Sequence, residues 1–546
     1  MSAGPTFQVA TDLGRPVLPA ARSLARLQFR LRLVAVALVA ALLLVSTGAT
    51  LLASVDAIRV PQQLDEGEPL VYGLAGRHLQ REPLYQPIDH LPFVQVHYTP
   101  LYYWAVAELH ARVAPGFGPG RVLSLLAGLV GAACVGYLAA RRARAWWTGG
   151  FAIVLFLGLG FPGGPAPFLA LVRVDVLGVG LSLLAIAVLA HGTSRLHLLI
   201  AGLLAGLALL TKQSLFGAAL AGTLWLVTLR PRKAAVFAVV TALTAGVPAQ
   251  LLQWSSHGAF WDNVGPANPS PTALEFGAYL FRELLVIQGV PTLLALLFVV
   301  GARAWREPGT RLLVLYWLAT MPSVAGIIKV GANHNYWIEL AAVNAVLATL
   351  AIGWCLRPRP GLAWGLAASL PIGLFVAHLA WLMPARFTTD RSVDTIPISW
   401  TFQPAPFDKL WHETTDFNQL VRDVGGERGL VLAESLDVAV LGDHPVAFEP
   451  FAFSMLEEER RWNSAPLVHE ICGGHVTLLV LSYPMESDIH PVGLRAFPMW
   501  PNSVLAAIRN TMQLEQIRDF HWLYRSPPAR DAGAIAACEA AADAAR

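Results

Sequence analysis

The first 384 residues alternate long apolar segments with short polar loops. A helix that crosses a bilayer needs about 20 mainly apolar residues, because its backbone polar groups must be hydrogen-bonded within the segment. About eleven segments approach this length, and they cover residues 31–54, 121–140, 148–165, 174–191, 196–210, 214–229, 234–253, 283–301, 312–329, 337–355 and 362–383. The pattern predicts a polytopic α-helical membrane domain over residues 1–384.

From residue 385 to 546 the pattern is that of a soluble domain. Short buried strands are predicted at 429–435, 437–442, 475–484 and 521–526, and helices at 411–424, 453–462 and 501–512. Alternating strands and helices predict a small α/β domain with a partly parallel sheet. Its two cysteines, Cys472 and Cys538, could form a disulfide in an oxidising compartment or remain free thiols.

Basic residues predict the orientation of the helices, because Lys and Arg are retained on the cytoplasmic side. Five loops carry such clusters, and they are RRARAWW (141–147), HGTSRLH (191–197), RPRK (230–233), RAWREPGTR (303–311) and RPRP (357–360). A cytoplasmic N-terminus places all five inside. We therefore expect a multi-pass cell-membrane protein whose C-terminal domain is extracytoplasmic.

Composition agrees with a membrane protein and argues against one partner class. The mean hydropathy is +0.53. Only 14% of the residues are charged, against about 25% in soluble domains. The net charge of +3 is too small to indicate nucleic-acid binding, and the basic residues fall in short clusters.

The first outer loop, residues 55–120, is too long to be a simple connection. Its stretch YTPLYYWAVAELHARV (98–113) has apolar residues at helical spacing but is too short to cross a bilayer, so it predicts an interfacial or re-entrant helix. Before it, LDEGEPLVYG (64–73) brings Asp65, Glu66 and Glu68 together. Such carboxylates could be solvated or cap a helix, or they could belong to a site.

Ionisable and amide residues recur in the other outer connections. They are Arg173 and Asp175 in LVRVDVLG, Lys212 and Gln213 in TKQS, and Lys329, Asn333, His334, Asn335 and Glu339 in KVGANHNYWIEL. Charged groups near membrane depth are costly and usually pair or bind a ligand. The three basic residues run counter to the positive-inside tendency, so each is either paired with an acid or binds an anion, and the three together favour an anion.

Carboxylates and cations at one membrane surface suit group transfer from a lipid phosphate. A carboxylate can remove the proton of an acceptor hydroxyl, while cations stabilise the departing phosphate. The glycine-rich FPGGPAP (161–167) follows no strand and therefore does not predict a nucleotide site. A lipid-linked donor agrees with this pattern.

The order of these features resembles the GT-C glycosyltransferases, polytopic enzymes that include the protein O-mannosyltransferases and the bacterial aminoarabinose transferase. The similar stretches are DEGEPLVYGLAGRHLQREPLYQP (65–87), HYTPLYYWAVAEL (97–109), RVDVLG (173–178) and GANHNYWIEL (331–340), followed by the α/β tail. The resemblance spans essentially the whole chain. It implies inverting transfer of a hexose or pentose from a polyprenyl-phosphate donor to a glycan, lipid or protein acceptor.

The resemblance also implies roles for individual residues. An acidic residue of the first outer loop is the general base of that family, so Asp65 is the expected base, with Glu66 raising its basicity or contacting the acceptor. The donor phosphate would be bound by Arg173, Lys212 and Lys329, assisted by His334. The remaining substrate contacts are expected from Glu68, His97, Tyr98, Tyr102, Asp175, Gln213, Asn333, Asn335 and Glu339.

Two of these roles have alternatives. The family often has a basic residue and two prolines before the Leu-Tyr pair, whereas here His97 is followed by the single Pro100, which leaves the role of His97 open. Tyr98 and Tyr102 could stack on sugar or line a lipid groove, or they could simply pack an aromatic helix.

No cofactor or metal is expected. The histidines of the first outer loop have no metal-ligand spacing. A divalent cation held by Asp65 or Glu66 and the donor phosphate is conceivable, because some relatives use one, but three nearby cations would make it unnecessary.

Two other functions agree less well with the sequence than a glycosyltransferase does. A transporter or flippase of lipid-linked sugars would commonly show internal repeats and polar groups near the bilayer midplane, and the sequence shows neither. A non-catalytic anchor for the outer domain would not require the clustered acids and cations.

Overall fold

The fold consists of a large helical part and a smaller α/β part near the C-terminus. The computed structural model describes residues 19–161, 167–265, 271–357, 362–387, 416–485, 489–492, 495–519, 521–527 and 532–545. The helices of the first part are α1 (Pro19–Arg59), α2 (Gly67–Leu79), α3 (Leu101–Arg112), α4 (Gly118–Ala143), α5 (Trp146–Leu159), α6 (Val174–His191), α7 (Arg195–Thr211), α8 (Gly217–Leu229), α9 (Pro231–Ser255), α10 (Ala259–Val264), α11 (Leu274–Gly301), α12 (Pro308–Val324), α13 (Ile338–Cys355) and α14 (Leu362–Phe387).

Eight helices of the described chain are long and apolar enough to cross a membrane. They are α1, α4, α6, α9, α11, α12, α13 and α14. The other three predicted spans correspond to shorter apolar helices, α5, α7 and α8. The 13 residues of α8 rise only about 20 Å, less than the roughly 30 Å of a bilayer core. The polytopic helical fold is therefore confirmed, whereas the count of eleven crossings is not.

The apolar helices differ in what covers them. The apolar window of α13 is 89% buried, whereas that of α9 is 11% buried. Helix α13 packs against α11, α4, α5 and α12 and forms the centre of the bundle. A helix that is apolar on every side must be enclosed by protein or face lipid, so α9 presents its surface to the bilayer.

The basic loops meet at one end of the bundle, which we call the basic end. Arg141 donates to the backbone carbonyl of His191 at 3.2 Å, and Arg142 pairs with Glu307 at 2.6 Å. Lys233 donates to the Thr193 hydroxyl at 2.7 Å. Contacts thus join four of the five clusters, as the charge pattern predicted. Which side of the membrane this end faces stays a prediction.

The first outer loop forms two helices at the opposite end. Helix α3 confirms the helix predicted at 98–113, whereas α2 was not predicted. Tyr102, Tyr103, Val106 and Ala107 make up the buried face of α3, and α3 packs against α2 and α4. The loop is therefore a packed layer over the helix ends.

The C-terminal part contains a four-stranded sheet with helices around it. The strands are β1 (Leu430–Ala433), β2 (Val476–Leu481), β3 (Ile489–Val492), β4 (Arg495–Pro498), β5 (Gln513–Arg518) and β6 (His521–Arg525). The helices are α15 (416–425), α16 (Leu436–Leu441), α17 (Pro450–Glu458), α18 (Ala465–Cys472), α19 (Asn502–Thr511) and α20 (Ala532–Ala545). The strand order is β1-β2-β6-β5, with β1 and β2 parallel and the other pairs antiparallel. The predicted α/β class is confirmed.

One predicted strand of this part is a helix in the structure. The strand predicted at 437–442 is wrong, because residues 437–441 lie in α16 and Gly442 follows as its C-cap. A short buried apolar run fits either a strand or a helix.

Cys472 and Cys538 form a disulfide that joins α18 to α20. The predicted domain start at 385 lies in the last turn of α14, and residues 388–415 lie outside the described chain.

The C-terminal part packs on the first outer loop. Phe93 pairs with Phe448 through the main chain, and the Gln63 backbone N–H donates to the Asp437 carboxylate at 2.9 Å. These contacts bring β1 and α16 next to the segment that carries Asp65.

Candidate active site

Asp65 and Arg173 form the centre of a polar network at the end of the bundle opposite the basic end. Asp65 precedes α2, and its Oδ1 accepts from the Gly67 backbone N–H at 2.9 Å and from Arg173 Nη1 at 2.7 Å. Arg173 has an extended backbone just before α6, which directs it away from that helix. Within the described chain, Asp65 Oδ2 has no hydrogen-bond partner. The carboxylate is thus held by one oxygen and available through the other.

Gly67 allows Arg173 to approach. A Cβ at this position would overlap the Arg173 guanidinium and lie 2.7 Å from its Cζ. The glycine of DEGE therefore has a steric role that the sequence pattern did not reveal.

Asp175 connects Arg173 to a second cation. It lies in the first turn of α6, where a carboxylate interacts favourably with the helix dipole. Its Oδ1 accepts from Lys212 Nζ at 2.6 Å and from Asn335 Nδ2 at 3.0 Å, while Oδ2 lies 3.9 Å from Arg173 Nε. Lys212 ends α7, and Asn335 precedes α13. The ends of three helices thus supply one charged cluster.

Two tyrosines enclose Lys212. Its Nζ lies 5.5 Å from the ring centroid of Tyr98 and 4.6 Å from that of Tyr336, both within cation–π range. The Tyr98 hydroxyl also accepts from Arg173 Nη2 at 3.4 Å. Tyr98, a predicted site residue, therefore contacts both cations, and Tyr336 is a member that sequence reasoning missed.

Glu66 and Glu434 are two carboxylates beside this network. Glu66 is exposed to solvent, yet burial raises the pKa of its carboxyl, as does Asp65, while Arg173 lowers it. A side chain that is both accessible and surrounded by protein lines a recess. Burial likewise raises the pKa of Glu434 to about 7; a hydrogen bond from Trp500 lowers it, and the charge of Glu66 raises it. Glu434 follows β1. The sequence did not predict it because it is far from Asp65 and Glu66 along the chain.

Glu68 has a structural position. Its side chain is fully buried and forms a bidentate pair with Arg121 at 2.8 and 2.6 Å. It also accepts from the backbone N–H groups of Val172 and Leu64 at 2.9 and 2.8 Å. Both oxygens are occupied by contacts that fix the first outer loop, and a substrate contact of Glu68 stays a prediction. Arg121 was also missed.

Arg121 holds the end of α1 as well. Its guanidinium donates to the backbone carbonyls of Ala57, Val60 and Gln62 at 2.7, 2.5 and 2.8 Å. These carbonyls lie at the C-terminal end of α1, where helical partners are missing. The pair therefore fastens α1, α4 and the start of α2 together.

Of the expected phosphate ligands, Arg173 and Lys212 join the network in the described chain, and the roles of Lys329 and His334 stay predictions. Lys329 is exposed, and its backbone pairs with Thr272. His334 is hydrogen-bonded to Glu283. Arg173 and Lys212 alone join the network, and both are paired with carboxylates. The alternative of acid pairing, which the sequence left open, is therefore the one observed for these two.

The remaining predicted residues lie around the network in supporting positions. The Asn333 side chain accepts from the His334 backbone N–H at 2.8 Å, and Glu339 accepts from the Tyr316 hydroxyl at 2.8 Å. The Tyr102 hydroxyl is bonded to Ser124 at 2.8 Å in the core. These contacts orient backbone and core groups.

His97 and Gln213 connect the network to the C-terminal part. His97 Nε2 lies 3.0 Å from Glu449 Oε1, while Gln213 Nε2 donates to the His97 carbonyl at 2.8 Å and the Val264 carbonyl at 3.2 Å. The contact of His97 is thus with Glu449, a residue that the sequence pattern did not single out.

Comparisons with known proteins identify the fold. No protein-family model matches the chain, and no curated protein matches it. Among solved structures, ArnT from Cupriavidus metallidurans bound to undecaprenyl phosphate is 13% identical with a TM-score of 0.54, covering 89% of this chain and 98% of ArnT. The apo state of that protein is 14% identical with a TM-score of 0.55, covering 89% and 99%. The archaeal oligosaccharyltransferase AglB from Archaeoglobus fulgidus is 12% identical with a TM-score of 0.46, covering 81% and 70%.

The similarity to ArnT extends over nearly the full length of both chains. This similarity agrees with the resemblance that the sequence motifs carry. The chain therefore has the fold of ArnT.

Proposed function

We propose that this protein is an inverting membrane glycosyltransferase that moves a sugar from a polyprenyl-phosphate donor to an acceptor hydroxyl on the extracytoplasmic side. The observation that supports it best is the network of Asp65, Arg173, Asp175 and Lys212, which three distant segments bring to one end of an apolar bundle. ArnT, which has the same fold, binds undecaprenyl phosphate.

Arg173 and Lys212 are the proposed ligands of the donor phosphate. Asp175 contacts both cations and therefore keeps them together. Arginine and lysine bind phosphate well, arginine through its planar fork and lysine as a compact charge. The polyprenyl tail would lie against the apolar helices.

Donor binding would also change the contact between Arg173 and Asp65. A phosphate that attracts Arg173 would weaken the hydrogen bond from Arg173 to Asp65 Oδ1. Both oxygens of Asp65 would then be available to the acceptor hydroxyl.

The transfer itself needs one base. Asp65 Oδ2 takes the proton of the acceptor hydroxyl as the hydroxyl oxygen attacks the anomeric carbon. The bond between that carbon and the phosphate oxygen breaks, and the polyprenyl phosphate leaves with the electron pair. One displacement inverts the anomeric carbon. The acceptor would enter beside Glu66 and Glu434.

A flippase or transporter of lipid-linked sugar is the less favoured alternative. Translocation needs polar groups along a path through the bilayer. The charged network of this protein gathers instead at one end of the helices, where Arg173, Asp175 and Lys212 all lie at helix termini.

Replacement of Asp65 tests the proposal. Asp65→Asn should reduce sugar transfer about 100-fold or more, the usual range for loss of a general base. Purified protein in liposomes would be supplied with polyprenyl-phosphate sugar, and released polyprenyl phosphate would be measured. Asp89→Asn is the matched control, because Asp89 is in the same loop with an 82% exposed side chain. Full activity of the Asp65 variant would refute the assignment.

A further inference from the structure

The basic end contains a second cavity, remote from the network around Asp65. Its volume is about 960 Å³, and it lies among the ends of α4, α5, α11, α12 and α13. Four arginines and one carboxylate line it, and they are Arg142, Arg303, Arg306, Arg357 and Glu307. The proposed sugar transfer takes place at the opposite end of the bundle and does not use this cavity.

The charge in the cavity is not balanced. Glu307 pairs with Arg142 at 2.6 Å, and Arg142 also donates to the Thr310 hydroxyl at 3.0 Å. The side chains of Arg303, Arg306 and Arg357 have no ion-pair or hydrogen-bond partner in the part of the chain that the structure describes, and all three are exposed. The cavity therefore offers three uncompensated guanidinium groups.

The other walls of the cavity are apolar and aromatic. Trp147, Trp354, Phe298 and Leu350 line it. A Cβ added to Gly353 would meet no atom within 4 Å, so this glycine faces open space. Tryptophan is the residue most typical of the boundary between hydrocarbon and headgroups.

The cavity thus joins guanidinium groups to apolar and aromatic walls. A ligand with a charged head and an adjoining apolar part would match both kinds of wall at once.

We propose that this cavity binds the phosphate headgroup of an anionic phospholipid, with the adjoining apolar part of the lipid against Trp147, Trp354 and Phe298. Basic pockets between membrane helices recognise anionic headgroups, and the guanidinium fork suits phosphate. A cavity of this size is typical of specific ligand sites. The site is separate from the proposed transfer reaction and does not depend on it.

Native mass spectrometry of the full-length protein with equimolar phosphatidylglycerol and phosphatidylcholine tests the proposal. We expect the wild-type protein to retain phosphatidylglycerol preferentially. The double variant R303Q/R306Q should lower that preference about tenfold, since each arginine near a phosphate contributes appreciably. R230Q/R232Q removes the same charge at the same end outside the cavity lining and should retain the preference. Equal losses in both double variants would contradict a specific site.

A second pair of variants separates shape from charge. Gly353→Leu should fill the cavity and displace the lipid without altering charge. Gly373→Leu is its control, because Gly373 also faces open space but lies in α14, outside the cavity. Unchanged lipid retention in Gly353→Leu would overturn the proposal. Competition with inorganic phosphate distinguishes the ligand source, since complete displacement at millimolar phosphate would indicate a site for free phosphate and not for a lipid.

Discussion

At the residue scale, the three acids of DEGE have three different surroundings. Asp65 is bonded to Arg173, Glu66 is exposed beside Asp65, and Glu68 is buried against Arg121. Adjacent residues of one chemical type therefore contribute a candidate base, a carboxylate that lines the recess beside the network, and a structural ion pair. Sequence spacing alone could not separate these roles, because each depends on a cation from another segment.

Gly67→Ala should reduce sugar transfer. The added methyl group would force the Arg173 guanidinium away from Asp65. Transfer rate and thermal unfolding would be measured together. Gly76→Ala is the control in the same helix, because a Cβ there meets nothing within 4 Å; if both variants transferred sugar at the wild-type rate, the contact between Arg173 and Asp65 would be irrelevant to the reaction.

At the element scale, helix ends position the network. Arg173, Lys212 and Asn335 each lie where a helix begins or ends, and the Arg121 pair fixes α1 against α4. The sequence predicted the charges at helix ends because they interrupt apolar segments. It did not predict Arg121, which lies within an apolar segment, or α16, whose short buried run resembles a strand.

Glu68→Gln should destabilise the protein by about 3–5 kcal/mol, because it leaves the buried Arg121 guanidinium without a counter-charge. Thermal unfolding in detergent would show this loss. Glu108→Gln provides the comparison, since Glu108 pairs with Arg112 on the surface with its side chain 55% exposed and such pairs contribute about 0–1 kcal/mol. Equal stability of the two variants would mean that the Glu68 pair does not fasten the loop.

At the scale of the whole molecule, the C-terminal part completes the recess. Glu434 and Glu449 reach residues of the first outer loop more than 300 positions away, as the pair of Glu449 with His97 illustrates. No periodicity or motif indicates such contacts, so the sequence predicted the α/β class of this part but not its contribution to the site.

The Glu434 carboxyl predicts a pH dependence of stability. Its pKa is raised to about 7 by burial, so the folded protein binds a proton that the unfolded chain releases at lower pH. Stability should therefore fall as pH rises from about 4.5 to about 7. Glu434→Gln should reduce this fall in a series of unfolding temperatures, whereas Glu458→Gln, on the exposed end of α17, should not. Identical pH profiles for wild type and Glu434→Gln would contradict the burial of this carboxyl.

The central claim is that Lys212, together with Arg173, binds the phosphate of a lipid-linked donor. The most direct measurement is the affinity of the folded, purified protein for polyprenyl phosphate, with Lys212→Met and Lys329→Met as a matched pair. We expect at least about tenfold weaker binding for Lys212→Met, since a charge-assisted hydrogen bond contributes about 1.5–3 kcal/mol. We expect little change for Lys329→Met, because Lys329 is exposed. Wild-type affinity in Lys212→Met, or an equal loss in both variants, would contradict phosphate binding by Lys212.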